Sequence, residues 1–174
     1  MIYNKTIREK YHQGYLRNRP ITEIVIHGTG GGSGANGMIV WMENGERAEE
    51  YKKGVALFHY LIDRNGDQYE IIDPGRWVYH SSSGAHDETT IGIENINPSP
   101  NNDAEYTDAQ YDSLAALVLK LLEEYPSIKS IIGHGQNRLK YSGGYKRCPG
   151  NFNWERFRDM ITFVFDGKEH LVRP

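Results

Sequence analysis

The segment ITEIVIHGTGGGSGANG, residues 21–37, runs from a β-branched apolar stretch through one histidine into a glycine-rich turn. Ile21, Ile24, Val25 and Ile26 have the makeup of a buried strand, which puts His27 at its end and leaves the glycines as a rim beside it. A second apolar run, IKSIIGH at 128–134, finishes the same way on His134. Open α/β sheets place their sites where side chains from separate strands converge at the carboxyl edge, and these two strands each deliver a histidine there.

Working outward, VALFHYLI, DRNGD and QYEII (55–72) read as strand, tight turn and strand, because Asn65-Gly66 tolerates positive φ. IGIENI at 91–96 is a further strand, preceded by a Ser/Gly/His-rich loop at 80–90 and followed by the polar surface loop NPSPNNDAEY. Thr107–Glu124 is the best helix: Thr107 and Gln110 make a capping box, and Tyr111, Leu114, Ala115, Val118, Leu121 and Leu122 repeat at helical spacing until Pro126. Asn153 caps a last helix with the apolar face Trp154, Phe157, Ile161 and Val164, and residues 37–53 predict one or two short helices. This order, without internal repeats or a linker, predicts an α/β fold with a mixed central β-sheet flanked by helices, in a single domain over 1–174.

Composition excludes several classes. The 174 residues are 38% hydrophobic and 25% charged, with a formal net charge of −3, so no basic field draws the chain to nucleic acid. No run approaches the ~18 apolar residues of a membrane span, and membrane insertion is not expected. The N-terminal stretch lacks the apolar core of a secretory signal, which implies a cytoplasmic location before any release. Cys148 is the only cysteine, so an intramolecular disulfide is excluded and the thiol is structural, metal-binding or nucleophilic.

His27, His134 and Cys148 make a possible His/His/Cys set that would hold Zn²⁺ with a fourth position open. Two rival chemistries stand beside it. Lys146 and Arg147 would favour a thiolate nucleophile at Cys148, although Pro149-Gly150 makes a turn where nucleophilic cysteines prefer a helix N-terminus. Gly30 to Ala35 formally satisfies a dinucleotide fingerprint, but residues 43–53 offer no second apolar strand to complete it. Glu94 is an acid inside an apolar strand, costly to bury unless a site or an ion pair justifies it. His59 and Tyr60 alternate, so only one faces any given side of the sheet. His80 is half-buried or a substrate contact, and His12, His86 and His170 are surface residues.

Taken in order, IVIHGT, FHYLIDRNGDQYEII, VYHSSSG, IGIENIN, IIGHGQ and KRCPGNFNWERF resemble the type 2 N-acetylmuramoyl-L-alanine amidases, the zinc family that includes phage lysozyme-like amidases and peptidoglycan recognition proteins. The resemblance covers about 21–157. It implies zinc ligands at His27, His134 and Cys148, a tyrosine near the metal at Tyr60, a candidate general base at Glu94, a transition-state lysine at Lys146, and a groove residue for the peptide stem at His80. The activity implied is zinc-dependent hydrolysis of the amide between N-acetylmuramic acid and L-alanine, with peptidoglycan or muropeptide as substrate and a monomeric enzyme. The third ligand being cysteine rather than aspartate points to the phage-like and recognition-protein branch. Gly28 and the long GTGGGSG rim depart from the family pattern and bear on groove shape. A non-catalytic peptidoglycan-binding protein and a peptidase using Cys148 as nucleophile are the alternatives.

Overall fold

The computed structural model describes residues 2–4, 14–44, 49, 57–81, 83–164 and 172. Its strands are β1 (Ile2–Asn4), β2 (Tyr15–Leu16), β3 (Glu23–Gly28), β4 (Tyr60–Ile62), β5 (Gln68–Glu70), β6 (Arg76–Trp77), β7 (Thr90–Asn95) and β8 (Ser130–Gly133). The helices are α1 (Ala35–Asn44), the single turn α2 (Gly84–Asp87), α3 (Asp108–Glu124), α4 (His134–Tyr141) and α5 (Trp154–Val164). Residues 45–48 and 50–53 of the predicted helical segment, the Val55–Ala56 start of the predicted strand, His12, His170 and the Val164 side chain lie outside the described residues.

Six strands form one mixed sheet in the order β1-β5-β4-β7-β3-β8, and β2 pairs with β6 in a small second sheet. The centre is parallel: β7 and β8 flank β3, with His27 opposite Glu94 and Ile26 opposite Gly133. Parallel strands of this kind are covered on both faces, and all six residues of β3 are buried accordingly. Alternation sends Ile24, Ile26, Tyr60, Ile62, Ile91, Ile93 and Ile131 to one side, where Leu114, Val118 and Leu121 of α3 and Phe157 and Ile161 of α5 pack on them. A second cluster of Ala35, Ile39, Met42, Leu57, Phe58, Leu61 and Val78 covers β4 on the opposite side. Each fully buried aliphatic or phenyl side chain here contributes roughly 1.5–3 kcal/mol by leaving water. Among the described residues no helix is long and apolar enough to cross a membrane.

The predicted capping box is present, with the Thr107 hydroxyl accepting from Gln110 N–H and the Gln110 side chain accepting from Thr107 N–H. The predicted hairpin joins antiparallel β4 and β5. Its turn is tied into the rest of the fold, since the Asp63 carboxylate accepts from Ala35 N–H at 2.9 Å at the start of α1. Gly66 has φ +86°, and a Cβ there would come within 2.8 Å of the Ala109 carbonyl oxygen on α3. Gly66→Ala should therefore cost about 1–3 kcal/mol, read as a fall in Tm; an unchanged Tm would show that the turn tolerates a side chain.

Candidate metal centre

Three elements bring the donors together at the carboxyl edge of the sheet. His27 is the penultimate residue of β3, His134 begins α4 directly after β8, and Cys148 lies on the return segment that precedes α5. That return is clamped to α4: Gly135 N–H donates to the Cys148 carbonyl at 2.6 Å. The approach requires glycine, because a Cβ at residue 135 would lie 2.2 Å from the Lys146 carbonyl oxygen. The first half of the segment between His134 and Cys148 is helix α4. Its apolar content is low, and its first turn is secured by the Gln136 side chain accepting from Gly133 N–H at 2.5 Å.

The ligand atoms of His27, His134 and Cys148 all lie within 4.8 Å of one another, and all three residues are buried. The two imidazoles meet edge to face with centroids 4.5 Å apart. Among the described residues neither ring nitrogen of His134 has a hydrogen-bond partner, although the residue is only 4% exposed. An unpaired buried imidazole is costly unless something else takes its lone pair. The Cys148 sulfur accepts from Gly28 N–H at 3.3 Å, which favours thiolate. Two imidazoles and a thiol held this way fit a tetrahedral Zn²⁺ with one position left open.

Burial sets the protonation states. Desolvation, aided by the Lys146 charge, pulls His134 down to about 3, and desolvation first, then the neighbouring histidines, holds His27 well below the usual range. Both rings are therefore neutral at pH 7, the form a metal requires. Desolvation, with the Glu94 charge adding to it, pushes the Cys148 thiol up to about 12. Glu94 is partly buried, its Oε1 4.0 Å from His27 Nδ1 and its Oε2 unpartnered. Desolvation raises its carboxyl to about 7 against the opposing pull of Lys146.

A cavity of about 320 Å³ opens over these groups, bounded by Lys146 and Asn102 as well as by Met38, Trp41 and Phe58. Lys146 is exposed at its mouth. Arg147 also lines this cavity and forms an ion pair with Asp103 at 2.5 Å. The geometry thus assembles His27, His134, Cys148, Glu94, Lys146 and His80 around one space.

Tyr60 is the exception. Its register partner is Ile93, and both side chains face α3 and α5, across the sheet from His27 and Glu94. Its hydroxyl bonds Glu70 instead, and desolvation raises its pKa far above the usual phenol range. The expectation of a tyrosine beside the metal is corrected by the period of the strand: residue 59 takes the site side, and His59 spends its Nδ1 on Gly92 N–H at 2.9 Å. His80 is corrected in part: it lines the cavity wall, but it is 9% exposed and both ring nitrogens are engaged inside the protein. His86 is not a free surface residue, since its Nε2 lies 2.8 Å from Glu23 and its ring stacks on Tyr141 at 3.8 Å.

Asn102 and Phe58 are site residues that sequence reasoning missed. Asn102 lies in the stretch read as a surface loop, yet it is 5% exposed, has φ +57°, accepts from Gly30 N–H at 2.8 Å and donates to the Arg147 carbonyl at 3.3 Å. It therefore ties the glycine rim to the Cys148 segment. Asparagine's tolerance of the left-handed region was the only available signal. Phe58 carried none, because an apolar residue beside a strand reads as core.

The fold and this buried donor set define an α/β protein whose sheet edge carries two histidines and a cysteine that could hold a metal ion. Residues 17–151 match the family model described as N-acetylmuramoyl-L-alanine amidase, and the chain belongs to that family. It is 30% identical over 127 residues to the 1,6-anhydro-N-acetylmuramyl-L-alanine amidase AmpD of Citrobacter freundii, an alignment that covers 66% of this chain and 64% of that protein. The chain thus spans somewhat less than two thirds of that relative. Among solved structures, a selenomethionine derivative of AmpD superposes with TM-score 0.72 at 24% identity, covering 92% of this chain and 94% of that one. The endolysine N-acetylmuramoyl-L-alanine amidase LysCS from Clostridium intestinale URNW does so with TM-score 0.72 at 21% identity, covering 93% and 95%. These structural likenesses carry the fold.

A thiol with its pKa near 12 and 6% exposure is a poor nucleophile at neutral pH. In the metal-free folded protein, iodoacetamide at pH 7.5 should label Cys148 about 10³-fold more slowly than in the denatured chain. Equal rates would contradict the buried, protonated thiol.

Proposed function

We propose that this protein is a zinc-dependent N-acetylmuramoyl-L-alanine amidase that hydrolyses the amide between the lactyl group of N-acetylmuramic acid and L-alanine in peptidoglycan or its soluble fragments. The observation that carries this reading is the buried His27, His134 and Cys148 set, in which the ring nitrogens of His134 have no partner among the described residues. Family membership supplies the substrate class.

His27, His134 and Cys148 would hold the ion. When bound, Zn²⁺ supplies Lewis-acid chemistry, polarising an amide carbonyl and acidifying water. The remaining work falls to the chain's own groups. Glu94 points its carboxylate to within 4.0 Å of His27 and has a free Oε2, so it can take a proton from the attacking water and return it to the leaving alanine nitrogen. Its pKa near 7 suits both directions of that transfer. Lys146 is the cation whose field reaches His27, His134, Glu94 and Cys148 alike, which puts its ammonium where it can stabilise negative charge growing on the carbonyl oxygen. Trp41, Met38 and Phe58 bound the apolar side of the cavity and limit water access.

A cysteine-nucleophile peptidase fits less well, because the thiol is protonated and His134 and His27 face it as a cluster of neutral rings. A non-catalytic binding protein would have no use for an unpartnered Glu94 Oε2 beside the cavity.

Release of stem peptide from muropeptides, with and without chelator and after zinc add-back, tests the proposal. Chelation should abolish release and zinc should restore it. Release by the chelated protein would sink the zinc mechanism, and no release by the zinc-loaded protein would leave a binding protein. Glu94→Gln should keep zinc but lose about 10²–10⁴-fold in kcat, and Lys146→Ala about 10²–10³-fold; an unchanged kcat removes the residue concerned from the mechanism. Glu94 works as carboxylate, and a raised pKa means that form is lost as pH falls. The parent should therefore show an acid limb in kcat/KM at or below about 7, and a flat profile down to pH 4 would exclude Glu94 as base.

A further inference from the structure

We infer that His80 is a positioning residue for the metal centre: it accepts the Nε2–H of His27 and so holds that imidazole in the tautomer whose Nδ1 lone pair faces His134 and Cys148. This deepens the metal-site reading and rests on it.

Thr90, the first residue of β7, donates its hydroxyl hydrogen to the Asp87 carbonyl at 3.3 Å. Its oxygen lies 2.8 Å from His80 Nε2, and we assign it as the acceptor of that bond. The other group on that side of the ring is also an acceptor, since Asp87 Oδ1 is 3.6 Å from His80 Nε2 and is itself held by Ser81 N–H at 2.8 Å and by the Ser81 hydroxyl at 2.5 Å. With acceptors alone around it, Nε2 carries the hydrogen of the neutral ring. Nδ1 of His80 is therefore the acceptor, and it meets His27 Nε2 at 3.1 Å. The hydrogen of His27 must then sit on Nε2, leaving Nδ1 as the donor atom toward the other two ligands.

The ring of His80 has little freedom to abandon this task. It lies on Gly92 of β7, where a Cβ would come within 2.8 Å of its Nδ1, and it packs edge to face against His27 and His59 with centroids 5.2 and 5.8 Å apart. Gly92 is in register with Val25, two residues before His27 on β3. The sheet itself thus sets the height at which His80 meets the ligand. With both nitrogens used, no ring nitrogen is left to hydrogen-bond a peptide stem.

The experiment separates this role from plain packing. Asparagine places its Oδ1 where histidine has Nδ1, so His80→Asn keeps the acceptor and His80→Leu removes it. Zinc affinity of the full chain is measured by chelator competition. His80→Leu should lose about 10–100-fold and His80→Asn should stay within a few-fold of the parent. Equal affinity of parent and His80→Leu would overturn the inference, as would equal losses in both variants at matched Tm. A second readout needs no metal: long-range ¹H–¹⁵N correlation of the imidazoles in the metal-free protein should show His27 protonated at Nε2 in the parent and as a tautomer mixture in His80→Leu. Protonation at Nδ1 in the parent would refute the inference. A parent that binds no zinc would defeat the metal-site reading, while the tautomer measurement still decides what His80 does.

Discussion

The parallel register of β3 against β7 places His27 opposite Glu94, and the rest of the site is arranged around that pair. Because side chains alternate, the same register sends Val25, Gly92, Glu94 and His27 to the site side, and Ile24, Ile26, Ile91 and Ile93 into the core beneath α3 and α5. A slip of one residue would bury the histidine among isoleucines. The donors are held in place by the hydrophobic core on the far side of the sheet as firmly as by any contact of their own.

Holding these groups there is electrostatically expensive. Three histidines, a thiol and a carboxyl share a small volume with little water, and desolvation moves each toward its uncharged form. The fold offsets this with hydrogen bonds where it can: Gly28 N–H to the sulfur, and the Ser81, Asp87, Thr90 and His80 chain behind His27. Where it supplies none, at His134 and at Glu94 Oε2, the unsatisfied atoms face the cavity. Stability given up at those atoms is what leaves them able to bind and to exchange protons.

Much of this was legible beforehand. The strand runs ending in His27 and His134, the Asn65-Gly66 hairpin, the capped helix from Thr107 and the order of the motifs all follow from short-range rules of period, capping and turn chemistry, and each is present in the fold. What failed was parity and tertiary support. Tyr60 and His59 are neighbours in the sequence, and nothing local says which side of β4 meets the site. α4 has little apolar periodicity and two nearby glycines, so its helical state depends on docking beside β3 and β8 and on the clamp to Cys148. Asn102 looked like a loop residue because its burial comes from partners at Gly30 and Arg147, far away along the chain.

The amino-acid sequence by itself determined the kinds of element, the candidate donor set and the family, since donor chemistry and motif order are properties of residue type and spacing. Only the tertiary structure decided that Tyr60 lies outside the site, that both ring nitrogens of His80 are engaged inside the protein, and that Asn102 braces the rim. The reason is geometric. Which face a strand residue takes, and which nitrogen of an imidazole carries the hydrogen, depend on groups 10 to 72 residues away in the chain that meet only when the sheet has formed.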